Sequence, residues 1–177
     1  TRRVKAIQNG KAIFYMTASF QLPEDGFDHQ DTMPVVPGPE GIPSYSDFIA
    51  EHQEVLPPAT REKFLAEKPI EIRPIKQYNW LKPEKTDSNC QTWLKTNGSL
   101  PDDLRHHSCM LAYASDFQFL PAALLPHGAS HFLPNFQIAT VDHAMWFHRP
   151  FRFDDWLLYC IDSPSASNGR GLVKGQI

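Results

Sequence analysis

The sequence predicts an α+β layer fold on the strength of three observations. Segments that alternate apolar and polar residues lie near the start, in the middle and at the end of the chain. A well-marked helix stands between the middle and the last of these segments, and a proline-rich stretch follows the first. Antiparallel strands that pack on one central helix describe an α+β arrangement.

Composition narrows the class of protein. The chain has 177 residues, 41% of them hydrophobic and 21% charged, which is enough for one ordinary domain or slightly more. This composition excludes a disordered chain, collagen and a coiled coil. A net charge of −3 with scattered Lys and Arg argues against nucleic acid as the main partner. No apolar run approaches the roughly 18 to 20 residues of a membrane span, and residues 1–4 do not resemble a signal peptide. Three cysteines without a CxxC pair fit a reducing cytoplasm, where we expect the protein to reside.

The first strands form a predicted β-hairpin. Asn9-Gly10 separates two apolar segments, residues 4–8 and 12–20, and this dipeptide strongly favours a two-residue hairpin turn. Two further strands are predicted at Ile70–Ile75 and Gln91–Thr96.

Residues 22–69 are predicted to form a linker. Half of the 16 prolines lie there, and the run from Met33 to Pro43 removes backbone donors, so this run should lie extended over a surface. Apolar residues at helical spacing before Pro57 predict a short helix within residues 44–66, with one further turn at residues 61–65.

The central helix should begin after Asn97-Gly98. Ser99 and Asp102 resemble a capping box, and the helix should run from Leu104 to about Ser115. Residues 117–125 should form a short, broken continuation, because Pro121 interrupts an apolar run, and residues 126–128 should end it.

Long strands are predicted after this helix. Period-two alternation runs from Phe136 to Pro150, then from Trp156 to Asp162, and a last strand begins at Leu172. In the first of these, Ile138, Thr140 and Trp146 would share one face and His143 the other. Residues 163–171 are predicted to be a loop between strands.

Four segments carry a resemblance to a known family. Residues 6–21, 101–105, 112–116 and 138–151 resemble acyl-CoA thioesterase II, the double-hotdog family of bacterial and peroxisomal thioesterases. The resemblance implies a double hotdog, an antiparallel sheet wrapped around a central helix in each of two units, with the first unit only partly present. Residues 1–21 would be the end of the N-terminal unit, 22–69 the linker, and 70–177 the C-terminal unit without its last strands. It also implies a homo-oligomer, either a dimer or a tetramer.

The resemblance further implies hydrolysis of fatty acyl-CoA thioesters, without an acyl-enzyme intermediate, by a water molecule that an aspartate, a threonine or serine, and a glutamine hold. By motif, the aspartate falls on Asp116 and the hydroxyl residue on Thr140. The glutamine would lie on a later strand, so Gln176 is not assigned to that role. A carboxylate can draw a proton from the attacking water, and partial burial would favour this. Ile138 and Trp146 would line an acyl tunnel beside Thr140.

Other interpretations of the same residues remain open. Asp116 would serve equally well as an N-cap for residues 117–125, and Thr140 as an ordinary strand residue. Asp142 and His143 are adjacent on the predicted strand and point to opposite faces, so they do not form a hydrolase dyad and are expected to be structural or interface groups. The histidine pairs lack zinc-ligand spacing, and we expect no metal and no other cofactor. A second class of function is a non-catalytic hotdog fragment that binds acyl-CoA or a partner.

Overall fold

A computed structural model describes residues 1–52, 54, 61–62, 65–131 and 136–177. They fall into two compact units, Thr1–Val35 and Val36–Ile177, each of which is described by itself. The helical turn predicted at residues 61–65 lies only partly within the described residues, and the prolines at 57 and 58 lie outside them.

The first unit contains the predicted β-hairpin. Strand β1 (Arg2–Gln8) pairs antiparallel with β2 (Lys11–Ala18). The turn residues Asn9 and Gly10 have φ values of 49° and 76°, the left-handed pair that a type I′ turn requires. Asparagine and glycine tolerate this backbone geometry at the least cost, so the hairpin prediction is confirmed.

Residues 36–43, the part of the predicted extended run that lies in the second unit, pass over the sheet and make a turn at residues 39–42. Their carbonyl oxygens accept side-chain hydrogen bonds from strand residues: Trp93 Nε1 donates to the oxygen of Pro37 (2.9 Å), and Arg73 Nη1 to that of Pro39 (2.7 Å). Prolines lack an N–H but keep a carbonyl, so contacts of this kind suit the segment. A short helix, α1 (Tyr45–Glu51), follows and begins with a capping box between Ser44 and Asp47.

A four-stranded antiparallel sheet forms the main layer of the second unit. Its strands, in spatial as well as chain order, are β3 (Ile70–Pro74), β4 (Cys90–Thr96), β5 (Leu157–Ser167) and β6 (Arg170–Gln176). The three predicted strands and the predicted start of a fourth are confirmed.

The predicted loop at residues 163–171 is wrong. Strand β5 continues to Ser167, and Asn168 and Gly169, with φ values of 51° and 69°, make a second tight hairpin turn into β6. The pairing is irregular between Asp162 and Ser165, where Pro164 cannot donate a ladder hydrogen bond. The serine-rich composition favoured a loop in the prediction, whereas the strand continues through this segment with an irregular pairing.

The central helix α2 (Leu104–Ala114) lies between β4 and β5 in the chain, as predicted, but its cap differs. Asp103, rather than the pair Ser99 and Asp102, is the N-cap, and its side chain accepts a hydrogen bond from the backbone N–H of Arg105 (3.0 Å). An N-cap carboxylate lies directly before the first helical residue, which explains why Asp103 takes this position.

A second short helix, α3 (Phe119–Leu124), is the predicted broken continuation of α2. Gln118 precedes it in the left-handed region, with φ 68°, so the chain changes direction sharply just after Asp116. A 3₁₀ turn at Leu125–His127 and the left-handed Gly128 end the segment, as predicted.

The core of the second unit lies between α2, α3 and the sheet. Leu111 and Ala114 of α2 and Ala122 of α3 pack with sheet residues from β3 to β5. The small Ala114, which is fully buried, lets the end of α2 come close to the sheet. The sheet residues of this cluster are Ile70, Leu94, Tyr159 and Ile161.

The long strand predicted at residues 136–150 is wrong for this structure. The segment carries no strand assignment, most of its residues are exposed, and no described residue forms a ladder with it. Alternation shows which residues would face opposite sides, but a strand also requires a neighbour that accepts its backbone hydrogen bonds. The sequence pattern contains the first kind of information and not the second.

Candidate active site

Asp116 lies just beyond the C-terminal end of α2, where Ser115 is the C-cap. The phenol of Tyr159 on β5 donates a 2.7 Å hydrogen bond to the backbone oxygen of Ser115. Both Tyr159 and Ser115 are buried. This bond therefore ties the helix end that carries Asp116 to the middle of the sheet.

The structure brings together the two predicted site residues. Thr140 Oγ1 donates a 2.8 Å hydrogen bond to Oδ1 of Asp116, across 24 positions of sequence. The side chain of Asp116 is 47% exposed, so its carboxylate is open to water rather than enclosed. The alternative role of Asp116 as an N-cap is not observed, because Gln118 precedes α3 and makes no side-chain capping bond.

His143 is a site residue that sequence reasoning missed. Its Nε2 lies 3.0 Å from Oγ of Ser115, and its Nδ1 lies 3.9 Å from Oδ1 of Asp116. On a regular strand, Thr140 and His143 would point to opposite faces. Residues 136–150 are not a regular strand here, and both side chains reach Asp116. Only the proximity of the two residues in the sequence could have signalled this arrangement.

Aromatic rings pack against the group formed by Asp116, Thr140 and His143. The ring of Phe119 lies 5.8 Å from that of His143 and 5.5 Å from that of Tyr159, measured between centroids. Burial, together with the negative charge of Asp116, raises the pKa of Tyr159. The phenol therefore remains protonated and able to donate at neutral pH.

Two of the three cysteines, Cys90 and Cys160, are poorly suited to act as nucleophiles. Burial raises the pKa of the Cys90 thiol, and it also raises that of Cys160. A nucleophilic cysteine needs a lowered thiol pKa, so both thiols are in the unreactive form at neutral pH. Among the described residues, no group of three or more His, Cys, Asp or Glu side chains could hold a metal ion. No helix in the described part of the chain is long and apolar enough to cross a membrane.

The arrangement fits activation of a water molecule. Thr140 and His143 both approach Oδ1 of Asp116, so neither occupies Oδ2. A carboxylate oxygen left free beside a hydroxyl can accept a proton from a water that also donates to that hydroxyl. The predicted acyl tunnel is not observed at Trp146, whose side chain is largely exposed.

The class of fold is settled by comparison with a solved structure. The crystal structure of an acyl-CoA thioesterase II, TesB2, from Mycobacterium marinum superposes with a TM-score of 0.72 at 37% sequence identity, covering 98% of this chain and 59% of that chain. The α+β double-hotdog prediction, with antiparallel sheets and a central helix, is thereby confirmed.

Sequence comparison then identifies the family. The family model described as acyl-CoA thioesterase matches residues 59–177. Acyl-CoA thioesterase 2 of Haemophilus influenzae is 43% identical over 174 residues, and human acyl-coenzyme A thioesterase 8 is 38% identical over 184 residues. The chain belongs to the acyl-CoA thioesterase family. The alignments cover 98% and 99% of this chain but 61% and 57% of the two relatives, so the chain spans less than two thirds of their length.

Proposed function

We propose that the protein hydrolyses fatty acyl-CoA thioesters to a free fatty acid and CoA, with Asp116 as general base. The observation that carries this proposal is the 2.8 Å hydrogen bond from Thr140 to Asp116, which joins the two residues that the family motif assigns to catalysis. Membership of the acyl-CoA thioesterase family supports the substrate class.

The reaction uses one water molecule and no acyl-enzyme intermediate. Water donates one proton to Oδ2 of Asp116 while its oxygen attacks the thioester carbonyl carbon, and the carbonyl electron pair moves to oxygen. The tetrahedral species then collapses, re-forms the carbonyl and breaks the carbon–sulfur bond. Asp116 returns the proton to the departing CoA sulfur. The hydroxyl of Thr140 donates its hydrogen bond to Oδ1 of Asp116. Its oxygen accepts a hydrogen bond from the second hydrogen of the water and so orients the water.

The test is release of free CoA from a long-chain acyl-CoA by the purified chain. We expect Asp116→Asn to reduce kcat by about 10²- to 10⁴-fold, the usual contribution of a general base. Asp155→Asn, which removes an exposed carboxylate near the start of β5, is the matched control and should leave kcat unchanged.

The alternative function makes a different prediction for the same sample. A non-catalytic hotdog fragment would bind acyl-CoA without releasing CoA, and Asp116→Asn would then alter nothing but affinity. An intact mass measured on the active sample shows whether the turnover comes from a chain of 20.2 kDa or from a larger molecule. Turnover that persists undiminished in Asp116→Asn would reject Asp116 as the base.

We also infer the organisation around this site. Residues 1–21 are the end of a first hotdog unit, 22–69 the linker and 70–177 most of a second unit, which the family resemblance supports. Exposed apolar side chains on the hairpin support a homo-oligomer, a dimer or tetramer. The composition supports a cytoplasmic location.

A further inference from the structure

We propose that Tyr159 is a positioning residue for the reaction, because its phenol holds the peptide unit that leads into Asp116. The inference rests on the proposed function, in which Asp116 is the general base. Tyr159 lies on β5, outside the segments that carry the family resemblance, and its hydrogen bond goes to the backbone rather than to the carboxylate.

The bond from Tyr159 acts on the backbone of Asp116. The phenol donates to the carbonyl oxygen of Ser115 at 2.7 Å, and this carbonyl belongs to the peptide unit that joins Ser115 to Asp116. A peptide unit is planar, so a bond that holds its oxygen also restrains the position of the following Cα. The next peptide unit is held as well, because the N–H of Phe117 donates to the oxygen of Ala114 at 2.9 Å. Hydrogen bonds therefore restrain the backbone on both sides of Asp116.

The end of α2 needs a bond of this kind. The last four carbonyl groups of an α-helix have no partner within the helix, and Ser115, as the C-cap, carries one of them. Ser115 is buried, and a buried carbonyl without a partner costs free energy. The phenol of Tyr159 stays protonated and continues to donate, because burial and then the charge of Asp116 raise its pKa.

Tyr159 is itself held firmly. Its side chain is 2% exposed, and the ring of Phe119 packs against it at 5.5 Å. Its backbone pairs with that of Thr92 in the middle of the sheet. Gly175 on β6 leaves room for the hydroxyl, since a Cβ there would lie 2.8 Å from it. The packing of the sheet thus sets the position of the phenol, and the phenol passes this restraint to Asp116.

The position of the Asp116 backbone matters for the reaction. A general base must lie within hydrogen-bond distance of the water that it deprotonates. The side chain of Asp116 is 47% exposed, and its hydrogen bond with Thr140 comes from a segment that carries no strand assignment. The carboxylate therefore depends on its own backbone for a fixed position. A shift of about 1 Å in a catalytic group can cost about 10²-fold in rate.

Removal of single hydroxyl groups tests the role of Tyr159. Tyr159→Phe keeps the ring and deletes the bond to Ser115, and we expect kcat to fall by about 10- to 100-fold with little change in KM. Tyr78→Phe is the matched control, because it also deletes a bond from a phenol to a backbone oxygen, that of Asn89 (3.3 Å), and it should leave kcat unchanged. Wild-type kcat in Tyr159→Phe, or an equal loss in Tyr78→Phe, would overturn the proposal.

A double variant separates positioning from a general loss of structure. If Tyr159 acts through Asp116, Tyr159→Phe should lower kcat no further once Asp116→Asn has removed the base. A structural defect would instead lower the residual rate of Asp116→Asn by the same factor as it lowers the rate of the wild type. Losses that multiply in the double variant would therefore rule out action through Asp116.

A measurement without substrate keeps the inference distinct from the proposed function. Nitrogen-15 relaxation gives the order parameter of the Asp116 amide, which should be near the rigid value of about 0.85 in the wild type and in Tyr78→Phe. We expect it to fall in Tyr159→Phe. An unchanged order parameter in Tyr159→Phe would refute the anchoring even if the enzyme is active. Absence of turnover by the wild type, together with the expected fall, would reject the proposed function and leave the anchoring of Asp116 standing.

Discussion

Gly175 is the residue on which the packing beneath the site depends most closely. It lies on β6 directly against Tyr159 and Phe119, and a Cβ added there would approach the hydroxyl of Tyr159 to 2.8 Å and a ring carbon of Phe119 to 2.9 Å. Both rings are held by their own contacts, so neither can move without disturbing the bond from Tyr159 to Ser115. Glycine is required because two aromatic rings fill the space that a side chain would occupy.

We therefore predict that Gly175→Ala destabilises the second unit. Overpacking of this kind costs about 1 to 3 kcal/mol, and the free energy of unfolding measured in urea should fall by that amount. Gly26→Ala is the matched control, because a Cβ at Gly26 meets no atom within 4 Å. Equal stabilities for Gly175→Ala and the wild type would show that Tyr159 and Phe119 shift freely.

Residue roles at the site were predictable only in part. Asp116 and Thr140 came from a family motif, and the structure places them in contact. His143 was assigned a structural or interface role, because alternation on a regular strand separates it from Asp142, whereas the structure brings it near Asp116. The contact depends on where an irregular segment crosses the end of α2, which is a tertiary property. The requirement for glycine at 175 has the same origin, because the rings it contacts lie on β5 and α3.

The N-terminal end of α2 is the element whose stability should depend most on acid. Asp154 accepts hydrogen bonds from the side chain of Arg152 and from the backbone N–H of Leu100, and these hold its pKa at about 2, below the ordinary 3.8. Hydrogen bonds from the side chain and then the backbone of Arg105 likewise lower the pKa of Asp103 to about 2. Between the folded-state pKa of about 2 and the ordinary pKa of 3.8, the unfolded chain binds more protons than the folded chain.

The sign of the pH effect follows from these lowered pKa values. The stability contributed by Asp154 and Asp103 is fully present above about pH 4 and is lost as the pH falls toward 2. Asp154→Asn removes one titrating group, so its stability in urea should fall less between about pH 5 and pH 2.5 than that of the wild type. The stability of Asp155→Asn in urea should fall over this pH range as much as that of the wild type. An equal fall for Asp154→Asn and the wild type would contradict the assignment.

Hydrogen exchange tests the correction made to residues 136–150. These residues join no described strand, so their amide hydrogens should exchange much faster than those of Leu158 to Ile161 in the middle of β5. Amide exchange followed by NMR or mass spectrometry measures both segments in one sample. Slow exchange at 138–147 would show that a neighbouring strand pairs with them in solution.

Elements were predictable where local chemistry decides them. Asn9-Gly10 fixes a turn by its own backbone preference, and Pro121 lies in the first turn of α3, where a helix tolerates a residue without an N–H. The same preference at Asn168-Gly169 was overlooked because serines and a proline surround it. The prediction of a strand at 136–150 was wrong for a different reason. Alternation of apolar and polar residues does not indicate whether a distant segment is available to pair with the strand.

At the scale of the whole molecule, the fold class followed from the order of the elements, and the family from short motifs. Strands before and after one helix, with small residues where the helix meets the sheet, suffice for an α+β layer fold. What composition could not give is the state of assembly. That depends on which exposed apolar surfaces meet a partner, and the hairpin presents the clearest of them.

The two faces of the hairpin differ in chemistry. Val4, Ala6, Phe14 and Met16 share one face, as their cross-strand pairing shows, and the only charged side chain on this face of the described hairpin, up to the register shift after Ala6, is Arg2 at its open end. Arg3, Lys5 and Thr17 lie on the other face, with Tyr15. Three large side chains of the apolar face, Val4, Phe14 and Met16, are exposed in the single chain. An exposed sheet face that is largely apolar favours association with another apolar surface.

We predict that the chain forms a homo-oligomer and that this face contributes to it. Phe14→Glu places a charge on the apolar face, and burial of an unpaired charge at an interface is costly, so the variant should sediment as a smaller species than the wild type at equal concentration. Tyr15→Glu places the same charge one position along the same strand, on the mixed face, and should leave the oligomer intact. Sedimentation velocity distinguishes the three proteins directly. If Phe14→Glu and Tyr15→Glu behave alike, the contact between copies lies elsewhere, because a sheet face responds to a charge only on its own side.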